Sequence, residues 1–311
     1  MNNEKNILVT GNKGFVGTNL TDYFRKARYS VVGITRKPKD NNEIDYNHLN
    51  FEVWNNALAV VHLAGKAHDL KDVANDNEYF QVNTELTKRL FNQFLKSNCE
   101  VFIYMSSVKA VADTVENILT EECEPNPLTA YGKSKRAAEK YLLAQKLLNN
   151  KKLYILRPCM IHGSGNKGNL NLLYQLIKKG IPYPLGTFDN KRSFLSVENL
   201  CFIIAHLIEQ KPGSGIYNLA DDEAISTNKL VKIIGEASGR KPKIWKFPKV
   251  IIVSLAKIGT FLKLPFNSEK IQKLTEDYVV SNSKIKKTLG IQFPTNTREG
   301  LMKTIKSFQN R

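Results

Sequence analysis

Residues 6 to 160 alternate short apolar runs with amphipathic stretches. The runs NILVT, SVVGIT, AVVHLA, VFIYMSS and LYILRP are rich in Val, Ile, Leu and aromatics and predict strands. Between them, FVGTNLTDYFRKA, NEYFQVNTELTKRLFNQFLKS and AYGKSKRAAEKYLLAQKLL carry helical spacing. Strand and helix in alternation imply a parallel sheet covered on both faces. After residue 162 the pattern loosens into glycine-rich HGSGNKGN, turn-forming GIPYPLGTFDNKRS and the helix SVENLCFIIAHLIEQ. Helical pieces broken at Pro242, Pro248 and Pro265 follow. This half reads as a smaller substrate lobe with crossings back to the first.

One late stretch, FPKVIIVSLAKIGTFLKLPF, mixes apolar residues with Lys249, Lys257 and Lys263. Its hydrophobicity is spread around the helix, so it reads as core packing with lysine stems at the edge. A helix lying on an anionic membrane is the rival reading. The formal net charge is +17, with Lys and Arg dispersed and no long basic block. No nucleic-acid-binding signature accompanies that charge, so nucleic acid is not an expected partner. No apolar run reaches the length of a membrane span, and the first residues show no signal-peptide core. Cys99, Cys123, Cys159 and Cys201 lack metal-ligand spacing. They read as reduced thiols of a cytoplasmic protein, and no metal is expected.

VTGNKGFVG places Gly11, Gly14 and Gly17 directly after the first strand, with Phe15 and Val16 opening a helix. A tight turn there lets backbone N–H groups approach a pyrophosphate at the positive end of the helix. In this position the motif predicts a nicotinamide dinucleotide. An acid about 20 residues on would bind the ribose of NAD. Here Thr35 takes that place and Arg36 follows, which tilts the expectation from NAD to NADP(H). Asp45 in EIDY, after a short third strand, reads either as a cap on the adenine edge or as a turn aspartate.

FIYMSSVKAV is a strand ending in serines, and PNPLTAYGKSKRAAEKYL starts a helix after Pro127. Tyr131 and Lys135 stand at i and i+4, on one helical face. A phenol has a pKa of about 10. A nearby ammonium is expected to lower it towards neutrality, making Tyr131 an acid–base group. The same lysine can reach ribose hydroxyls, and Ser107 can hydrogen-bond the reacting oxygen.

Together these stretches resemble the extended short-chain dehydrogenases/reductases of the NAD-dependent epimerase/dehydratase group, which act on nucleotide sugars. The resemblance rests on TGNKGFVG, VVHLAG, YFQVNTELT, FIYMSSVKAV, YGKSK, ILRPCMIHG, NKRSFLSVENL and LGIQFPTNTREGL. It implies a Rossmann-type doubly wound parallel sheet binding NAD(P) in residues 1–165, with crossings near 190–208. A mixed α/β lobe for the nucleotide sugar would occupy 166–311. It implies that Gly11, Gly14, Phe15, Val16, Gly17, Leu63, Ala64, Gly65, Asn83 and Pro158 surround the cofactor, and that Ser107, Tyr131 and Lys135 are catalytic. It places Asn169 and Arg192 at the UDP-sugar, a bidentate guanidinium being suited to a diphosphate. Lys109 adds charge nearby, or is a solvated loop lysine. His162 and Val111 stand where tyrosines are usual in the family.

The 4,6-dehydratases of the group carry an Asp-Glu pair where Val108 and Lys109 stand here, so dehydration is not expected. The local motifs most resemble reductases of UDP-4-keto-6-deoxy-(N-acetyl)hexosamines that supply surface polysaccharides. A UDP-sugar 4-epimerase is the alternative. A non-catalytic NADP(H)-sensing module is a third reading, opposed by the intact Ser107, Tyr131 and Lys135. The resemblance also implies a homodimer.

Overall fold

The computed structural model describes residues 6–67, 76–148, 150–166, 168–262 and 267–309. Its 7-stranded parallel sheet contains β1 (Asn6–Thr10), β2 (Val31–Thr35), β3 (Glu43–Asp45), β4 (Ala57–His62), β5 (Val101–Met105), β6 (Lys152–Pro158) and β7 (Gly215–Leu219). The spatial order is β7-β6-β5-β4-β1-β2-β3. The order reverses between β1 and β4. That reversal opens a crevice beyond their carboxyl ends, where ligands bind in open α/β sheets.

The helices used below are α1 (Phe15–Lys26), α2 (Leu86–Lys96), α3 (Ala130–Leu143), α4 (Asn169–Lys178), α5 (Val197–Gln210), α6 (Thr227–Ala237), α7 (Lys249–Phe261) and α8 (Thr297–Gln309). Strand alternation sorts them into layers. Ile7, Val9, Val61, Ile103 and Leu156 face a core shared with Leu20 and Phe24 of α1 and Leu200 and Ile204 of α5. Leu8, Val60, Phe102, Tyr104 and Ile155 face the other side, against Leu90, Phe91 and Phe94 of α2 and Ala138 and Leu142 of α3. There Phe102 sits 5.0 Å from Phe91 and 5.3 Å from Phe94, centroid to centroid. Truncating it to alanine would cost about 3–5 kcal/mol.

Two of these elements come from late in the chain. The sequence pattern left Gly215–Leu219 with the second lobe, yet it pairs in parallel with β6, Tyr217 opposite Leu156. α5 likewise returns to cover the sheet.

A second core gathers α4, α6 and α8 around Tyr174, Phe194, Ile234, Leu301 and Ile305. Two short pairings line the seam between the cores: Phe194–Ser196 runs parallel to Met160–His162, and Lys191–Arg192 runs antiparallel to Ile225–Ser226. The core-packing reading of α7 does not hold for most of its residues. Ile252 and Ala256 are buried, whereas Val250, Ile251, Val253, Leu255, Ile258 and Phe261 are exposed. The helix is apolar all round, and the second core covers one stripe of it. Among the described residues no helix is long and apolar enough to cross a membrane.

Candidate active site

α1 begins at Phe15 after Gly14, and no side chain caps it among the described residues. Its first turn carries no acidic residue, which leaves its N–H groups and positive end for an anion. Gly11 has φ +69°, and a Cβ there would lie 2.9 Å from the Ala64 amide nitrogen. A Cβ at Gly17 would lie 2.1 Å from the Gly11 carbonyl oxygen. Both positions require glycine, so the backbone forms a cradle that fits a dinucleotide pyrophosphate. Phe15 and Val16 turn their side chains to the core beneath.

A buried relay fixes the cradle to the neighbouring strand. The Ala64 N–H donates to Thr10 Oγ1 at 3.0 Å, and Thr10 Oγ1 lies 2.7 Å from His62 Nδ1. His62 Nε2 is 2.8 Å from Thr87 Oγ1, whose hydroxyl donates to the Asn83 carbonyl at 2.8 Å. Thr87 has one proton and spends it on that carbonyl, so His62 donates from Nε2 and accepts from Thr10 at Nδ1. Burial, then the nearby Lys135, pushes the imidazole down to about 3, so it stays neutral at physiological pH.

At the expected ribose end, Thr35 is half-buried and Arg36 is exposed. The Asp45 carboxylate accepts from the Asn47 N–H at 2.8 Å, capping the turn that follows β3. That geometry is the turn-aspartate alternative. Glu43, which the sequence reading passed over, is better placed. It accepts from Asn12 Nδ2 at 2.9 Å and the Lys39 N–H at 2.7 Å, and pairs with Lys13 at 2.8 Å. Although burial opposes it, these hydrogen bonds and the Lys13 charge hold its carboxyl at about 2. Glu43 thereby ties two residues of the glycine turn to β3. The signal lay in the sequence, two positions before Asp45.

Beyond β5, Ser107 is buried and its Oγ accepts from the Lys109 N–H at 3.2 Å. Thr129 caps α3, accepting from the Gly132 N–H at 3.2 Å, and so sets where Tyr131 and Lys135 fall. The Tyr131 phenol lies close enough to the Ser107 hydroxyl for that group to pull its pKa down. Its ring meets Tyr79 edge-on at 6.3 Å. Lys135 Nζ donates to the Met105 carbonyl at 2.7 Å and would lie 3.0 Å from a Cβ at Gly65. Ser107, Tyr131 and Lys135 therefore converge beside Gly65, and Pro158 is buried at the end of the adjacent β6.

The acidified phenol does not follow from this packing. Burial dominates and pushes Tyr131 up, with the Ser107 hydroxyl opposing and Tyr79 reinforcing. Burial also brings Lys135 down to about 7, against the pull of Glu139.

Asn83 arrives by an unusual local route. Residues Gln81–Glu85 form a π-helical turn between two α-helical segments, a feature that re-aims side chains and is frequent at functional sites. Asn83 donates to Ser134 Oγ at 2.9 Å and to the Lys66 carbonyl at 3.0 Å, and accepts from the Lys66 N–H at 2.8 Å. It ties the exit of β4 to the helix that carries Tyr131. Helical periodicity gave no sign of the π turn.

Glu139, one turn beyond Lys135, is fully buried. It accepts from Ser106 Oγ at 2.6 Å, Arg157 Nε at 2.8 Å, Arg157 Nη2 at 2.6 Å and Arg136 Nη1 at 3.1 Å. One carboxylate thus joins the residues next to Ser107 and Pro158 to the Tyr131–Lys135 helix. The spacing Tyr131, Lys135, Glu139 on one face was its sequence signal.

On the other side, Lys109 Nζ donates to the Asp113 carbonyl at 2.8 Å and lies 4.4 Å from the centre of the Tyr278 ring. Arg192 is half-buried, 3.7 Å from Glu276, and shares the electrostatic environment of Tyr278. Burial lowers its pKa, opposed first by Glu276. Tyr278, unflagged in the sequence, thus brings Lys109 and Arg192 to one rim. Asn169 opens α4, and its side chain lies outside the described residues. His162 is buried, 2.8 Å from Thr304 Oγ1 and 3.5 Å from Asp221, where it keys α8 to the seam. Val111 packs into the first core.

An α/β sheet with a glycine cradle at its switch point and a Ser-Tyr-Lys cluster beside it defines a dinucleotide-dependent enzyme class. Residues 7–220 match the NAD dependent epimerase/dehydratase family, and the chain belongs to that family. A UDP-glucose 4-epimerase of Vibrio cholerae is 33% identical, covering 98% of this chain and 95% of its own. An N-acetyl-alpha-D-glucosaminyl-diphospho-ditrans,octacis-undecaprenol 4-epimerase of Escherichia coli O157:H7 is 26% identical, covering 91% and 85%. The solved structure of MoeE5 in complex with UDP-glucuronic acid and NAD superposes with a TM-score of 0.76, at 24% identity and 98% and 99% coverage. The protein is an enzyme of this NAD-dependent family, and its relatives include nucleotide-sugar epimerases and reductases.

Proposed function

We propose that this enzyme reduces the 4-keto group of a UDP-4-keto-6-deoxy-(N-acetyl)hexosamine during synthesis of surface polysaccharide precursors. The observation that carries the reading is the convergence of Ser107, Tyr131 and Lys135 next to Gly65. In this reading the nicotinamide, when bound, supplies the hydride. Tyr131 gives its proton to the sugar O4 as the carbonyl becomes an alcohol. A phenol kept protonated by burial suits that direction, since a reduction needs an acid. Ser107 aligns and polarises the oxygen. Lys135 would hold the nicotinamide ribose, and the cradle of Gly11, Gly14 and Gly17 the pyrophosphate. Lys109 and Arg192 offer cations to the sugar diphosphate, with Asn169 on the same side.

Val108 is buried and Lys109 is turned to Tyr278 where a dehydratase needs two carboxyl groups. The exposed Arg36 gives the ribose end a cation, which favours NADP(H) over NAD.

Epimerisation at C4 of a UDP-sugar is the second reading, favoured by the Vibrio cholerae relative. The same groups would run both half-reactions, with the cofactor retained. Cofactor stoichiometry separates the two. With the 4-keto sugar, a reductase oxidises one NADPH or NADH per product. Interconversion of UDP-glucose and UDP-galactose with no net change at 340 nm would instead select the epimerase. A homodimer is part of either reading, and light scattering tests it.

A further inference from the structure

The exposed face of α7 has a regular layout. Ile251, Leu255, Ile258 and Leu262 are all exposed and recur at i, i+4, i+7 and i+11, the spacing of one helical stripe. Phe261 (87% exposed) and Val250 (76% exposed) extend it on one side. A flanking stripe about 110° further round the helix, Ile252 and Ala256, is buried in the second core. Trp245 and Phe247, just before the helix, are also exposed. The 13 residues of the helix make a strip about 20 Å long.

The charge of this region is one-sided. From Arg240 to Ser268 there is no Asp or Glu. Lys241, Lys243, Lys246, Lys249 and Lys257 are all exposed. Lys249 Nζ lies 5.5 Å from the Phe188 ring centre, its stem spanning apolar surface. An occupant of this face must accept aliphatic and aromatic side chains at its centre and carry negative charge around them.

We propose that α7 and the segment leading into it dock on the surface of an anionic lipid bilayer. The helix would lie in the interface, with the Ile251–Leu262 stripe and Phe261 among the acyl chains and the lysines at the headgroups. Trp245 and Phe247 suit the same depth. A second copy of the chain fits the face less well. A two-fold contact would set Lys257 and its neighbours against the same residues, where like charges repel. The docking rests on this face alone and is independent of the reaction at Tyr131.

The test is co-sedimentation of the full-length protein with vesicles of pure phosphatidylcholine or enriched in phosphatidylglycerol. The wild type is expected to bind the anionic vesicles, bind the neutral ones at least tenfold less, and lose binding as salt rises. Lysines near an anionic surface contribute roughly fivefold each, so Lys249→Glu with Lys257→Glu should weaken binding about twentyfold or more. Ile251→Glu with Ile258→Glu should also abolish it. Both pairs are exposed, and circular dichroism and turnover of a soluble UDP-sugar should match the wild type. If the isoleucine variant fails to fold, the lysine variant still decides. Three results would overturn the proposal: no binding to anionic vesicles, equal binding to both lipids at all salt concentrations, or undiminished binding by a folded variant. A light-scattering dimer that Ile258→Glu splits, with no vesicle binding, would assign the face to a second copy.

Discussion

Replacing Glu139 by Gln preserves the shape of a buried side chain and removes its charge. Glu139 and Arg157 are 0% and 1% exposed, so the substitution leaves a guanidinium in the interior without its counter-ion. Breaking a buried pair from one side costs about 3–5 kcal/mol. At about 2–3 °C per kcal/mol for a chain of this size, melting should fall by roughly 6–15 °C. Arg157→Met in the same protein removes the stranded charge and should recover most of that loss, since hydrophobic replacement of both partners is often neutral. The second effect falls on Lys135, whose ionisation Glu139 supports against burial. Without that carboxylate the lysine deprotonates below about 7, and the high-pH limb of the rate profile moves to lower pH. Thermal melting at neutral pH and a rate profile of the cofactor-loaded enzyme measure both. A Gln variant that melts with the wild type and keeps its pH profile would refute the placement of Glu139 at the centre of the site.

Other outcomes follow from single groups. Glu43 has a folded pKa of about 2, below the ordinary 4.5, so its stabilisation is present above pH 4.5 and lost as pH falls through 2. Glu43→Gln should therefore cost about 1–2 kcal/mol at pH 7, discounted for the exposed Lys13, and almost nothing below pH 2, in denaturant titrations. Lys135 behaves oppositely, because burial makes its charged form unfavourable in the fold below about 7. Lys135→Met should gain stability over wild type at pH 6, with the gain shrinking as pH rises towards 10.5, while activity is lost. Gly17→Ala forces a Cβ to within 2.1 Å of the Gly11 oxygen. At roughly 1–3 kcal/mol for overpacking, calorimetry should show 5- to 150-fold weaker dinucleotide binding.

Much of the sheet could be read from the chain because each central strand announces itself twice, by β-branched or aromatic residues and by position between amphipathic helices. β7 could not be read that way. GIYNL is short, follows a long helix, and gains its place only by pairing with β6 across more than fifty residues. The glycine cradle was legible because backbone sterics confine Gly11 and Gly17 to one residue type. Asp45 was singled out while Glu43 carried the contacts, since which of two acids turns inward depends on where Asn12 and Lys13 stand. Tyr278 and Arg157 meet the site from distant segments, which no local pattern encodes. The acidified phenol failed for a related reason. Spacing placed a lysine near Tyr131, but burial, which spacing does not report, moves both pKa values the other way. On α7, hydrophobicity all round left open which stripe the core would cover.

The proposed reduction turns on Tyr131 as the proton donor beside the bound nicotinamide. The most direct measurement is turnover of Tyr131→Phe with NADPH and UDP-4-keto-6-deoxy-N-acetylhexosamine, alongside its dinucleotide affinity. Loss of a general acid should lower the rate about 10²–10⁴-fold while NADPH binds as tightly as before. A phenylalanine variant that turns over at the wild-type rate would contradict the account.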